Sequence, residues 1–198
     1  MPGALEVRFY LGGLWQVIRG DAAGLRRLDI SDRGLMRSFW AIIWCLPAMA
    51  ISWFWWRALF LRGMPSDMEV GGMFFLRLAM LELANWIVPL VLVGLMAWAL
   101  GLGRKYYAMV VAVNWLSVPF AYAYAVLSLL LLFAPGLTGL LSLIWLALMI
   151  GLVFSISRIF RIICGPSPLM VATLTMVLIV PTMLLSDTLE RFLGIYPG

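Results

Sequence analysis

Five apolar runs, each long enough to cross a bilayer, dominate the chain, and its basic residues fall mainly on alternate connections between them. A helix needs about 20 apolar residues, at 1.5 Å of rise each, to span hydrocarbon. The runs cover 38–60, 74–100, 106–133, 137–163 and 168–185, with ends set only to within a few residues. Backbone in lipid must satisfy its own hydrogen bonds, so the pattern predicts an all-α polytopic membrane helix bundle. Composition agrees. Hydrophobic residues fill 65% of 198 positions and charged residues only 12%, against roughly 45–50% and about 25% in a soluble domain.

The charges predict an orientation. Arg8, Arg19, Arg26, Arg27, Arg33 and Arg37 precede the first run, Arg104 and Lys105 follow the second, and Arg158 and Arg161 close the fourth. The other side holds Arg57, Arg62, Arg77 and Arg191, diluted by Asp67, Glu69, Asp187 and Glu190. The positive-inside rule then places the N-terminus in the cytoplasm and the C-terminus outside. On this reading Arg104, Lys105, Arg158 and Arg161 are cytoplasmic anchors, the last two snorkelling from the fourth span. Arginine outnumbers lysine thirteen to one, a bias suggesting a GC-rich bacterial source, with the cytoplasmic (inner) membrane as the expected location. The first 35 residues hold five arginines and no apolar block suited to a cleavable signal peptide, so the first span is expected to direct its own insertion.

Residues 1–37 read as a separate N-terminal region. Val7, Leu11, Leu14 and Ile18 recur at helical spacing opposite Arg8, Gly12, Gln16 and Arg19, which predicts an amphipathic helix over about Leu5 to Arg19. It can lie in the headgroup plane or pack under the bundle as a cytoplasmic cap, and the two are compatible. A second short helix is expected from Asp21 to Leu28. Ser31 and Asp32 predict the start of a helix that runs on into the first span. Ser167 followed by Pro168 predicts a capping hydroxyl with proline at the first helical position.

Polar groups at membrane depth are the candidates for function. Glu82 and Asn85 are three apart in the second span and share a helix face. Counting back from Arg104 places Glu82 at the outer hydrocarbon edge. There it is either a proton or cation site, or an interfacial carboxylate near Arg77, the reading the sequence favours. Asn114 in the third span is expected to be deeper and to bond another helix. Pro47, Pro89, Pro119 and Pro181 place a proline in each of four spans. Three of them fall at similar depth, where kinks can open a cavity. Gly94, Ala97 and Gly101 form a small-residue edge suited to close helix contact.

Histidine is absent, which excludes histidine-based acid–base catalysis, haem ligation and HExxH zinc sites. Cys45 and Cys164 form neither a disulfide framework nor a metal pair. No catalytic residue, metal site or cofactor is expected, and the basic residues follow topology rather than a nucleic-acid surface.

The layout, with the segments Gly103-Arg104-Lys105-Tyr106-Tyr107 and Cys164-Gly165-Pro166-Ser167-Pro168, resembles that of bacterial Yip1-domain membrane proteins. The resemblance implies five spans behind a basic cytoplasmic region, and membrane organisation or partner binding without catalytic residues. The sequence-level expectation is therefore a non-enzymatic scaffold or accessory subunit that binds membrane proteins. The alternative is a small homo-oligomeric transporter with a polar site near Glu82, Asn85 and Asn114.

Overall fold

The computed structural model describes residues 2–62 and 71–195. Asp67 and Glu69, counted above among the outer charges, lie outside the described residues. Seven α-helices follow in order: α1 Ala4–Arg19, α2 Asp32–Ser38, α3 Ala41–Arg62, α4 Gly72–Ala99, α5 Tyr106–Phe133, α6 Thr138–Cys164 and α7 Pro168–Phe192. No strand occurs among the described residues. Five helical segments are long and apolar enough to cross a membrane: α2 with α3, α4, α5 with its leading turn, α6 and α7.

The helix ends refine the sequence reading. Ser31 does cap α2, its Oγ accepting from the Gly34 amide at 3.1 Å. The helix does not run on into the span, however. It stops at Ser38 and resumes at Ala41, and the join tightens to three-residue bonds such as Trp40 N–H to the Arg37 carbonyl and Ile43 N–H to the Trp40 carbonyl. Ser38 Oγ also donates back to the Leu35 carbonyl at 2.7 Å. The short helix expected from Asp21 to Leu28 is a 3-10 helix over Ala22–Arg27, started by the Asp21 carboxylate accepting from Ala23 N–H. Pro168 does open α7, but the Ser167 hydroxyl makes no capping bond. The fifth span continues seven residues past its expected end at Leu185. Asp187, Thr188, Glu190 and Arg191 end the apolar run without ending the helix. An Asp187–Arg191 ion pair at 3.2 Å bridges one turn. The Ile195 amide then closes the terminus on the Glu190 carbonyl, with Gly194 at positive φ.

α5 is the central helix. It contacts α1, α2, α3, α4 and α6, while α4 and α6 both pack on α7. Its stretch Met109–Ala112 and the Trp115 side chain are essentially solvent-free. α1 lies against α5 and α6, and its C-terminus meets Arg158 toward the end of the bundle where α5 begins and α6 closes, here termed the α1 end. Val17, Leu14 and Tyr10 face inward, and the Tyr10 ring lies 5.2 Å from that of Trp115. Thus α1 packs on the bundle. Its outward face still exposes Leu5, Phe9 and Trp15, with Arg19 over the Trp15 ring and Arg27 over Phe9.

Two of the expected anchors are built into the protein. Arg158 Nε donates to the Ile18 carbonyl at the C-terminus of α1, 3.1 Å away. Lys105 Nζ donates to the Cys164 carbonyl at the C-terminus of α6, 3.0 Å away. Each cation meets the electronegative end of a helix, where unpaired carbonyls concentrate partial charge. Arg104 and Arg161 are exposed at the same end. Gly20 makes the first contact possible. It holds φ at 103°, and a Cβ there would fall 2.5 Å from Arg158 Nη2. Gly94 serves α4 and α5 in the same way. A Cβ on it would fall 3.0 Å from the Tyr106 ring, whose hydroxyl donates to the Leu90 carbonyl at 3.1 Å. Ala97 is fully buried beside it, whereas Gly101 belongs to the terminal turn of α4.

At the opposite end, Phe60, Phe74, Leu78, Leu81 and Ile195 form a second core that draws α3, α4 and α7 together. Arg77 points toward Gly194 in this region.

Candidate functional site

A cleft of about 430 Å³ opens between the helices, lined by residues of all five spans. α4 supplies the stripe Glu82, Asn85, Trp86 and Pro89. That is i, i+3, i+4 and i+7, one face of a helix. α3 supplies Cys45, Met49 and Ser52; α5 Asn114, Ser117, Phe120 and Tyr124; α6 Met149, Leu152 and Ile156; α7 Leu178, Thr182 and Met183. All three polar residues proposed from sequence therefore meet at one cleft, although they come from two different helices.

Glu82 lies on the wall of the cleft rather than paired with Arg77. α4 begins ten residues before it, at Gly72, so Glu82 lies about 15 Å along a helix about 42 Å long. It forms no ion pair with Arg77; the ion pairs among the described residues are Arg37–Glu6 and Arg191–Asp187. Five residues of helix turn the two side chains about 140° apart, and the exposed Arg77 points toward Gly194 instead. The Trp53 indole is a polar neighbour of the Glu82 carboxyl. Its Nε1 is buried and makes no well-formed hydrogen bond.

Asn85 and Asn114 are in opposite states. Asn114 is 1% exposed. Its Oδ1 accepts from Trp86 Nε1 at 3.0 Å and its Nδ2 donates to Ser38 Oγ at 2.9 Å, which ties α5 to α4 and α2. Ser117 Oγ donates to the Asn114 backbone carbonyl at 2.6 Å and lies 3.7 Å from Cys45 Sγ. This network joins four helices. Asn85 donates from Nδ2 to Ser186 Oγ of α7 at 2.8 Å, but its Oδ1 is buried without a partner. Rotating the amide would only move the deficit to the nitrogen, since Ser186 can satisfy one end alone.

The prolines divide. Pro89 lines the cleft, and Pro119 lines a separate groove between α1, α5 and α6. Pro47 is exposed on α3, and Pro181 lines neither space. Kinks at one level therefore do not by themselves make the cleft. Sequence reasoning missed Ser52, Tyr124 and the three methionines of the lining. Ser52 carried a signal, since it is a hydroxyl in the middle of a span. Among the described residues no three histidine, cysteine or acidic side chains gather as metal ligands.

Chemically, the cleft offers one carboxyl group, one amide oxygen free to accept, hydroxyl groups and an apolar, partly aromatic wall. It suits a small ligand carrying at most one positive charge. No family model, curated protein or solved structure matches the chain.

Proposed function

We propose that this protein binds a small solute at the centre of its membrane bundle and moves it across the bilayer, acting as a small transporter. The observation that carries the reading is a drug-sized cleft lined by all five spans, with the ionisable Glu82 on its wall. Ligand sites run from about 300 to 1,000 Å³, and an intramembrane carboxyl group is costly to keep without a task. The setting is the bacterial cytoplasmic membrane, with the N-terminus inside by the distribution of arginines. Proteoliposomes loaded with a pH-sensitive dye test the reading against a panel of small solutes. At least one solute should move protons with the wild-type protein, and Glu82→Gln should abolish that movement. Silence across the panel, with the protein correctly folded, would remove transport from consideration.

A second reading, of a scaffold or accessory subunit without enzymatic activity, is supported by α6. Within residues 138–147 only Leu141 is buried, so this half of the helix stands clear of its own bundle. A second copy or another membrane protein can cover it, in keeping with the resemblance to Yip1-domain proteins. Purification in mild detergent should then retain the covering subunit; a uniform monomer under several mild conditions would contradict this reading. Neither reading involves nucleic acid.

A further inference from the structure

We infer that the central cleft takes a protonated lipophilic amine, which competes with a proton for the Glu82 carboxylate. The inference deepens the solute-binding reading and rests on it.

Charge makes the first selection. Among the described residues, Glu82 is the sole charged one lining the cleft. Its one basic neighbour in sequence, Arg77, is turned toward Gly194. A carboxylate inside a bundle is stable only with a partner, and otherwise takes up a proton. With no cationic partner among the described residues, two occupants remain for that position: a proton or a cation from outside. The titratable groups around Glu82 are Cys45 from α3 and Tyr124 from α5, while α6 and α7 bring none to the lining. None of these supplies a fixed positive charge.

The wall makes the second selection. Most of the lining is apolar, with Met49, Trp86, Phe120, Met149 and Met183 among it. A hydrated inorganic cation would have to exchange its water for some six oxygen ligands, and this wall does not provide them. An organic cation gives up far less hydration, and aromatic rings attract it through their faces. The third selection comes from Asn85 Oδ1, an acceptor that is buried without a donor. It lies one helical turn from Glu82, on the same face. An ammonium group carries N–H donors for both the carboxylate and this oxygen, whereas a quaternary cation would leave the amide unsatisfied.

The probe is 1-naphthylmethylamine, compared with the neutral 1-naphthylmethanol, by equilibrium dialysis against the intact protein in phosphatidylcholine nanodiscs. Empty nanodiscs correct for partitioning into lipid. The wild-type protein should bind the amine about tenfold more tightly than the alcohol. Amine affinity should weaken with acidification, approaching about tenfold per pH unit where Glu82 is protonated, while alcohol affinity stays flat. Glu82→Gln should reduce the preference to within about twofold and remove the pH slope. Should that variant fail to fold, the wild-type pH slope alone decides the matter: a flat amine profile overturns the inference. Equal binding of amine and alcohol by wild-type protein would also overturn it, while leaving a solute-binding cleft in place. Absence of binding by either probe, together with silence in the flux panel, would remove the cleft reading itself.

Discussion

Asn114 and Asn85 are the same residue type, both in the interior of spanning helices and both facing one cleft, yet the bundle treats them in opposite ways. Asn114 is bonded at both ends of its amide, to Trp86 and Ser38, and holds three helices in register. Asn85 is bonded at one end and leaves an oxygen idle beside Glu82. A polar group in an apolar interior is expensive unless paired, so a closed network reads as structure and an open one as a place reserved for something else. The division also runs along the cleft. The closed network occupies its wall nearer the α1 end, and the open pair lies further along α4.

Substitutions can break this contrast. The largest effect is expected from Asn114→Leu, which strands the Trp86 and Ser38 side chains and should lower stability by about 1–3 kcal/mol. Denaturation by sodium dodecyl sulfate in mixed micelles measures it; an unchanged midpoint would mean that Asn114 is not a structural tie. Asn85→Leu removes one hydrogen bond together with an unsatisfied oxygen, so its stability should stay within about 0.5 kcal/mol of wild type. A loss as large as that of Asn114→Leu would erase the distinction between the two sites.

The smallest effect concerns the outer support of the closed network. Ser38 ends α2, and the first turn of α2 is held by Asp29, whose Oδ1 accepts from the Ser31 hydroxyl at 2.6 Å and the Ser31 amide at 3.2 Å. The hydroxyl bond above all holds this carboxyl group below its ordinary range. A carboxyl group depressed by folding stabilises the fold above its unfolded value, and that contribution fades as pH falls through the folded value. Hydrogen exchange at Gly34 and Leu35, corrected for intrinsic rates, should therefore quicken as pH drops toward about 3. Asp29→Asn should exchange without that pH response. A variant matching wild type throughout would assign the clamp to other groups. Tyr10 gives a second titration marker near the network. Its burial, and then its 2.6 Å bond to Glu6, push it up to about 12.

Much of the architecture was legible in sequence because length and hydropathy report directly on spanning helices. All five spans and the amphipathic α1 follow from such runs. The extension of α7 to Phe192 escaped because hydropathy measures lipid contact rather than helicity, and its last turns are polar. Arg158 and Lys105 were read as lipid anchors because charge counting knows the membrane side but not the helix terminus that each side chain meets. At the site, spacing alone placed Glu82 and Asn85 on one face. That Asn114 joins them from α5 is a tertiary fact, as is the orientation of Arg77. Counting from Arg104 fixes the depth of Glu82 only for a helix no longer than the hydrocarbon. α4 runs to 28 residues, well beyond the roughly 20 needed.

Glu82 stands in an accessible cleft within the spanning bundle, and none of the described residues supplies it a counter-ion. Dicyclohexylcarbodiimide, an apolar reagent that attacks protonated carboxyl groups from the membrane phase, tests this in native membranes when followed by peptide mass spectrometry. An adduct on Glu82 is expected, diminished when a lipophilic amine is present. An unmodified Glu82, under conditions that label other acidic residues of the chain, would contradict it.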